Sequence, residues 1–462
     1  MRDYLPEIRR RGAELVIVGN GSRYFAASFR EDLRLDCRLL VDPELHSYRA
    51  AGLRRGRVEI LSPRVPWNAL RALWGGARQH GVQGDAWQLG GVFVIRPRGE
   101  VVYRYISREA GDHPPIDDVL AALEPDAVAI AEEPQASLLA RATGALLTPA
   151  VDPLVPLSFG APGFAVRALT FAPRDLDVDL SRRRIVLTGA TSGLGFEAAL
   201  ALADLGAELE LVCRDEGRGE KAAQRIREAT GNERVRITLA DMSSLNAVRD
   251  AANSLATRPV DVLIHNAGLL PATRIETEDR LELTFATHVV GPFLLTKLLR
   301  PALAATGGAR VVWVSSGGMY SRRLSVDDYN WERRRPYDGV VAYAETKRAQ
   351  VVLAEMWADE LRSDGVVVNA MHPGWADTPG VQSSIPRFRQ LTRAILRTPA
   401  QGADTIVWLA ASDAAAELTG EFVFDRKPRL KHLLPTTRES DADRRALWRL
   451  CESLAAPFAA TR

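Results

Sequence analysis

The second part of the sequence predicts a protein of the α/β class with a doubly wound parallel sheet. From Ser181 onward, apolar runs of strand length alternate with stretches of helical periodicity. Such regular alternation is typical of a parallel sheet that helices cover on both faces. A glycine-rich turn at residues 189–195 follows the first of these strands and leads into a helical pattern. Ligands bind at the carboxyl ends of the strands in folds of this kind, so the functional site is expected there.

Length and composition limit the classes of protein to which this chain can belong. The chain has 462 residues, which predicts two or three domains, and its net charge of +2 argues against a nucleic-acid partner. Cys37, Cys213 and Cys451 are widely spaced, which favours a reducing compartment and argues against disulfides and a zinc site. The charged N-terminus does not resemble a secretory signal, and the apolar stretch 142–166 contains an aspartate and several prolines. We expect a cytoplasmic protein with no membrane span and no metal.

Residues 1–124 are predicted to form a separate, compact α/β domain. Apolar runs rich in β-branched residues predict strands, and capping residues followed by helical periodicity predict helices. The expected strands are 14–18, 39–41, 92–95 and 101–106, the last two forming a hairpin, and the expected helices are 22–33, 66–79 and 116–123.

Four stretches of this domain resemble the peroxiredoxin-like AhpC/TSA family, which has a thioredoxin fold. They are residues 19–22 (GNGS), 41–43 (VDP), 88–95 (QLGGVFVI) and 110–115 (AGDHPP). Members of that family carry their redox cysteines at the start of the first helix, after the first core strand. Residues 1–4 align within or after that start, so a thioredoxin-like domain that lacks the cysteine segment is expected. A peroxiredoxin-like redox protein remains the alternative if the sequence is truncated.

The remaining chain is predicted to contain a connecting segment, the main domain and a tail. Residues 125–180, rich in alanine, leucine and proline, are expected to lie along a domain surface. Residues 181–435 are predicted to form a Rossmann domain, and residues 436–462 a helical tail with a helix at 441–454. The strands expected in the Rossmann domain are 184–188, 208–213, 234–239, 261–265, 310–315, 366–371 and 421–424, and the helices are 194–205, 217–229, 244–256, 277–302, 341–363 and 399–411.

The glycine turn predicts a binding site for the pyrophosphate of a dinucleotide. Glycine lets the backbone turn sharply and approach a ligand where a Cβ would collide. The first turn of the following helix offers unpaired N–H groups to the phosphates. The positions assigned to this part of the site are Gly189, Thr191, Ser192, Gly193, Leu194 and Gly195.

The ends of the next three strands extend the predicted cofactor site. An acid at the end of the second strand would bind the adenine ribose, whereas an arginine accommodates a 2′-phosphate. Arg214 at this place favours NADP(H) over NAD(H), and Asp215 is the competing residue, although it also suits the cap of the next helix. Asp241 and Met242 end the third strand and are expected beside the adenine. The small residues that end the fourth strand and permit close approach of the cofactor are Asn266, Ala267 and Gly268.

Three residues form the candidate catalytic set. Tyr343 and Lys347 are four apart in a helical stretch and therefore share one face. Ser316 follows the fifth strand, at the same edge of the sheet. An adjacent ammonium stabilises a phenolate and brings the phenol toward acid–base use. A serine hydroxyl can hold a substrate oxygen by a hydrogen bond.

These residues together resemble the short-chain dehydrogenase/reductase superfamily, over about residues 165–435. Within that superfamily, residues 314–319, 371–380, 401–404 and 425–428 are similar to the subgroup of dehydrogenase/reductase member 12. The resemblance implies that Tyr343 is the acid–base, that Lys347 binds the nicotinamide ribose and that Ser316 binds the substrate carbonyl. It also implies that the 373–378 loop contacts the nicotinamide amide through Pro373, Gly374 and Thr378.

One position departs from the superfamily pattern. The superfamily usually has a catalytic asparagine in the helix after the fourth strand, three residues before a glycine, and His288 stands there. Neutral imidazole donates and accepts a hydrogen bond as an amide does, so His288 could hold a water that relays protons to Lys347. In that case we expect an additional acid limb in the pH–rate profile near pH 6.5. The alternative is that His288 only packs in the helix.

The sequence thus predicts an NADP(H)-dependent oxidoreductase, of class EC 1.1.1, that interconverts a carbonyl and an alcohol. Its partner is expected to be a small-molecule carbonyl or alcohol, and a homo-oligomer is compatible with the sequence. Residues 383–397 are expected to form the substrate lid. The main alternative is a catalytically weak NADP(H)-binding regulatory or interaction protein.

Overall fold

The computed structural model describes most of the second part of the chain and several pieces of the first. The described residues are 4–19, 30, 36–42, 47–48, 51, 53, 90–96, 101–107, 114–124, 138–152, 155–172 and 175–459. By compactness the chain divides into two units, Met1–Gln135 and Ala136–Arg462. None of the helices in these described ranges is long and apolar enough to cross a membrane.

The described part of the first unit contains four strands and two helices. Its elements are α1 (Leu5–Arg10), β1 (Val16–Gly19), β2 (Arg38–Val41), β3 (Gly91–Ile95), β4 (Val101–Ile106) and α2 (Ile116–Ala121). β1 and β2 pair in parallel, and β3 and β4 pair antiparallel. Tyr103, Val119 and Ala122 form a small buried cluster between the hairpin and α2. The four strands and the last helix agree with the sequence prediction. The helix predicted at 66–79 and, apart from residue 30, the helix predicted at 22–33 lie outside the described residues.

The second unit is built around an eight-stranded sheet. Its strands are β5 (Arg184–Thr188), β6 (Glu208–Cys213), β7 (Val235–Leu239), β8 (Val262–His265), β9 (Arg310–Val314), β10 (Val367–Met371), β11 (Phe422–Phe424) and β12 (Lys427–Pro428). They lie in the order β12-β11-β10-β9-β8-β5-β6-β7. Every neighbouring pair is parallel except β11 and β12. The strand order reverses at β5, which places the expected ligand crevice beside its carboxyl end.

Helices cover the sheet on both faces. The helices described in the second unit are α3 (Leu138–Val151), α4 (Val155–Phe159), α5 (Ala161–Ala168), α6 (Gly193–Asp204), α7 (Glu216–Thr230), α8 (Leu245–Leu255), α9 (Leu283–Phe285), α10 (Gly291–Ala304), α11 (Gly339–Glu360), α12 (Pro379–Ser384), α13 (Pro386–Thr392), α14 (Pro399–Ala411) and α15 (Asp441–Ala459). Side chains alternate across each strand, so Ile185 and Leu187 pack with α6, α7 and α14. Val186, between them, packs into the core formed with α8, α10, α11 and α15.

The predicted parallel α/β fold is confirmed, and each of the seven predicted strands is found within one residue of its predicted bounds. The short antiparallel β12 was not predicted. The helix predicted over 277–302 begins only at α9, because the Glu282 side chain accepts the N–H groups of Thr284 and Phe285 and so caps it there. Between α9 and α10 the chain makes a π-helical turn, Ala286–Val290. A π-turn inside an α-helix is often found at a functional site.

Candidate active site

Four neighbouring strands bring the predicted motifs to one edge of the sheet. β10, β9, β8 and β5 are adjacent and parallel, so their carboxyl ends lie side by side. They lead into the 373–378 loop, Ser316, the 266–268 segment and the glycine turn, respectively. Motifs that are far apart in sequence therefore meet at this edge.

The glycine turn has the backbone that the sequence predicts. Gly189 and Gly193 have φ angles of +72° and +59°, in the left-handed region that favours glycine. A Cβ on Gly195 would overlap the carbonyl oxygen of Gly189 and the amide of Asn266. α6 begins at Gly193, and Ser192 at its N-cap makes no side-chain capping hydrogen bond. The first turn of α6 is therefore available to an anionic ligand.

Asn266 fixes the glycine turn from the side of β8. Its Nδ2 donates to the carbonyl oxygens of Thr188 and Gly189, both at 3.0 Å. The Thr188 hydroxyl in turn accepts the N–H groups of Asn266 and Ala267, at 3.0 and 3.1 Å. A Cβ on Gly189 would lie 2.7 Å from the Cα of Ala267. The close approach of these two segments explains why small residues stand here.

The residues after β6 and β7 have different surroundings. Arg214 is exposed, and the Asp215 carboxylate accepts the N–H of Arg218 at 2.7 Å, which caps α7. Asp241 is half-buried and accepts the N–H and hydroxyl of Ser243. The side chain of Met242 packs into the core, and its place beside the adenine stays a prediction.

Ser316, Tyr343 and Lys347 come together at the ends of β9 and α11. Asp338 caps α11 by accepting the N–H groups of Val340 and Val341 at 2.9 and 3.1 Å. One turn later lies the half-buried Tyr343, and the Ser316 side chain is close enough to act on the pKa of its phenol. The Nζ of Lys347 lies 5.4 Å from the centre of the Tyr343 ring. A hydroxyl, a phenol and an amine thus share one site.

Burial shifts the pKa of both ionisable groups of this set. It raises the pKa of Tyr343, while the hydrogen bond with Ser316 acts in the opposite direction. It lowers the pKa of Lys347 to about 7, because the side chain is only 3% exposed. The Nζ of Lys347 donates to the carbonyl oxygen of Val314 at 2.8 Å and to Oε1 of Gln350 at 3.0 Å. Both acceptors favour the charged amine and oppose the effect of burial.

Gln350 is a site residue that the sequence reasoning missed. Its side chain is fully buried and connects Lys347 with the π-turn, because its Nε2 donates to the carbonyl oxygen of His288 at 2.9 Å. Its position three residues after Lys347 was the available signal, since side chains at that spacing are neighbours on a helix. The π-turn directs the His288 carbonyl toward Gln350, and no local sequence pattern predicts that turn.

His288 lies at the site but not in the expected role. The imidazole is completely buried: Nε2 accepts the N–H of Leu269 at 3.0 Å, and Nδ1 lies 2.9 Å from the Thr346 hydroxyl. Because the Thr346 hydroxyl donates to the carbonyl oxygen of Tyr343, the network assigns the His288 proton to Nδ1. Burial, with a smaller contribution from Lys347, holds the pKa of His288 well below its ordinary value. Both nitrogens are engaged, so the expected relay water and titration near pH 6.5 are contradicted.

The 373–378 loop closes over the glycine turn. Gly374 has a φ of +74°, and its N–H donates to Nδ1 of the buried His372 at 3.0 Å. The hydroxyl of Thr378 accepts the N–H of Val381 at 3.3 Å and so caps α12. A Cβ on Gly193 would lie 3.3 Å from the Cβ of Thr378. Thr378 of this loop therefore lies against the glycine turn, whereas Gly374 lies beside Arg397 and Phe159.

Two family models match the chain. The model described as enoyl-(acyl carrier protein) reductase matches residues 189–424. The model described as AhpC/TSA antioxidant enzyme matches residues 1–109. The N-terminal match supports a thioredoxin-like part, as the resemblance implied.

Individual proteins are also similar to this chain in sequence and in structure. Dehydrogenase/reductase SDR family member 12 of Bos taurus is 41% identical over 299 residues, which cover 64% of this chain and 93% of the relative. Human retinol dehydrogenase 13 is 32% identical over 277 residues, covering 58% of this chain and 82% of that protein. The crystal structure of an uncharacterised protein from Mycobacterium paratuberculosis is similar with a TM-score of 0.50 and 28% identity, covering 60% of this chain and 95% of that one. With the fold and the site, these similarities show that this chain belongs to the short-chain dehydrogenase/reductase superfamily of oxidoreductases.

Proposed function

We propose that the protein is an NADP(H)-dependent oxidoreductase that interconverts a carbonyl and an alcohol, in class EC 1.1.1. The observation that carries the proposal is the contact of Ser316 with Tyr343 beside the buried Lys347, at the sheet edge that also holds the glycine turn. The proposal includes a cytoplasmic location and a catalytic domain that spans residues 181–435.

The residues at the sheet edge fit a dinucleotide. The glycine turn leaves no room for a Cβ at Gly189 or Gly195, and the first turn of α6 is available to phosphate oxygens. Arg214 is exposed directly after β6, where it can pair with a 2′-phosphate. Asp215 already caps α7, which argues for Arg214 as the residue that selects the cofactor.

In the direction of reduction, Ser316 and Tyr343 would donate hydrogen bonds to the carbonyl oxygen of the substrate. When bound, the nicotinamide supplies the hydride. Tyr343 gives its phenolic proton to the oxygen that becomes the alcohol, and the charged form of Lys347 stabilises the phenolate that remains. Val314 O and Gln350 Oε1 hold the Lys347 amine on this side of the helix.

A cofactor titration combined with a substrate panel tests the proposal. NADPH and NADH are titrated into the full chain, and their consumption is then followed with aldehydes and ketones, including retinal because of the relatives named retinol dehydrogenase. We expect preferential binding of NADPH and its oxidation by at least one carbonyl. Tight NADPH binding without turnover of any carbonyl or alcohol would favour the regulatory alternative.

A further inference from the structure

The segment that precedes β5 is fixed to the edge of the sheet by a buried ionic network. Arg167 of α5 and Arg397 both pair with Asp425, which follows β11, at distances of 2.6–2.9 Å. All three side chains are at most 2% exposed. Breaking such a pair would leave a buried charge uncompensated, which is strongly destabilising. The segment from α4 to α5 is therefore a fixed part of the second unit.

Backbone hydrogen bonds attach the same segment to the loop over the candidate active site. The carbonyl oxygen of Phe159 accepts the N–H of Trp375 at 2.8 Å and the Nε of Arg397 at 2.9 Å. The N–H of Ala161 donates to the carbonyl oxygen of Ile395 at 2.7 Å. Phe159 is thus held between the 373–378 loop and the end of the expected substrate lid.

The ring of Phe159 lies beside the residue that follows Ser316. A Cβ on Gly317 would come within 2.6 Å of the Phe159 ring. The ring is only half-buried, and its centre is 4.6 Å from that of His372 and 6.0 Å from that of Trp375. Trp375 in turn makes an edge contact with Phe388 of α13, with centres 5.0 Å apart. Aromatic rings therefore line the region from Ser316 to the lid.

Two of the charged groups near these rings, Arg397 and Asp377, have partners of opposite charge. Arg397 pairs with Asp425, which it shares with Arg167, and Asp377 accepts two hydrogen bonds from Arg389 at 2.8 and 3.0 Å. A ligand at this wall would meet the faces and edges of the Phe159, Trp375 and Phe388 rings. Such a surface binds hydrocarbon by removing it from water.

We propose that Phe159 forms an apolar wall of the substrate site and selects carbonyl compounds that carry a hydrocarbon substituent. The proposal rests on the proposed function in taking Ser316 as the residue that holds the carbonyl oxygen. The substituent then lies against Phe159 and extends toward Trp375 and Phe388. A segment outside the Rossmann domain thereby contributes to substrate selection.

Binding of carbonyl analogues that are not reduced tests the wall independently of turnover. Acetamide, butanamide, hexanamide and octanamide are titrated calorimetrically into the full chain saturated with NADP⁺, and the affinity is compared along the series. We expect the amide affinity of the wild type to rise about fourfold for each methylene that contacts the apolar wall. Phe159→Ala should reduce the gain below about twofold per methylene, and Phe159→Leu should give an intermediate gain.

Phe171→Ala is the matched control. Phe171 is half-buried in the same part of the chain and packs on Phe164, with ring centres 5.9 Å apart. In Phe171→Ala, the amide affinity should rise with chain length as it does in the wild type. Circular dichroism and the thermal midpoint identify a variant that fails to fold, and the comparison then depends on Phe159→Leu.

Two results would contradict the proposed role of Phe159. One is an amide affinity that does not rise with chain length in the wild type, and the other is an equal rise of that affinity in the folded Phe159 variants. Failure of the proposed function looks different. A wild type that reduces no carbonyl while its amide affinities still depend on Phe159 would refute the oxidoreductase and leave the apolar wall in place.

Discussion

At the scale of single residues, the site depends on how the Lys347 amine is held inside the protein. Burial lowers its pKa to about 7. The amine donates to Val314 O and Gln350 Oε1, and such acceptors favour its charged form. The same Gln350 satisfies the carbonyl oxygen of His288 in the π-turn. One amide therefore links the charge of Lys347 to the backbone of the neighbouring helix, and we regard Gln350 as a positioning residue.

Replacing Gln350 should change the pH dependence of the enzyme. Gln350→Leu removes an acceptor from the charged amine, so the pKa of Lys347 falls and the loss of activity with rising pH begins at lower pH. The unpaired His288 carbonyl should cost about 1–3 kcal/mol of stability. Gln350→Glu places a carboxylate beside the amine and should move the pH dependence upward. Profiles of kcat against pH that coincide for all three proteins would exclude this role.

Arg214 is expected to determine the choice of cofactor. Arg214→Ala removes the partner of the 2′-phosphate and should weaken NADPH binding by about tenfold or more, with little effect on NADH. Arg249→Ala is the control, because Arg249 pairs with Asp250 on α8. Fluorescence titrations with both cofactors check the expectation. If the variant keeps the wild-type preference, another residue binds the 2′-phosphate.

At the scale of elements, the turn between β5 and α6 works only because its backbone segments approach closely. Gly195→Ala would force a Cβ into the Gly189 carbonyl, a backbone atom that cannot move freely. We expect a stability loss of about 1–3 kcal/mol and a large loss of NADPH affinity. Gly217→Ala on α7 is the matched control, since its Cβ would meet only the Asp215 carboxylate at 3.7 Å. Equal NADPH binding by both variants would contradict the role of the turn.

Local sequence patterns predicted the elements of the main sheet and the residues that meet at its edge. The period of the apolar residues located the strands, and motif spacing located Ser316, Tyr343 and Lys347. The environment of His288 was not predictable, because it depends on Leu269 and Thr346, which come from other elements. The place of Phe159 beside the candidate site was also not predicted, because its contacts come from other elements.

The contacts that hold the Phe159 segment are remote in sequence. Arg167 and Asp425 are 258 positions apart, and no local pattern reports that they form a buried pair. Alternating prolines and apolar residues indicated only that this part of the chain is not a free linker. Partners at such distances become evident only when the strands are assembled.

At the scale of the whole molecule, buried histidines should make the second unit sensitive to acid. Burial lowers the pKa of His265 to about 3 and holds those of His288 and His372 well below the ordinary value. In the unfolded chain these residues bind protons below pH 6.5, whereas the folded protein keeps them neutral. Stability is therefore lost as the pH falls below 6.5, by about 1.4 kcal/mol per pH unit and histidine at most.

His265→Asn tests this linkage. Among the described residues, the side chain of His265 hydrogen-bonds Thr296 and packs against the ring of Trp313. The variant should lose stability at pH 7 but should show a shallower decline between pH 6 and pH 4 than the wild type. Thermal unfolding across that range measures the decline. Parallel curves for the two proteins would show that His265 is not the source of acid sensitivity.

The central claim is that Tyr343 transfers the proton, and the turnover of Tyr343→Phe measures this most directly. The variant keeps the ring but loses the hydroxyl, so the rate of NADPH-dependent carbonyl reduction should fall by about a hundredfold or more while NADPH affinity barely changes. Tyr329→Phe, whose ring packs on Phe285 with centres 4.8 Å apart, should retain the wild-type rate. Near-normal turnover by Tyr343→Phe would contradict the account.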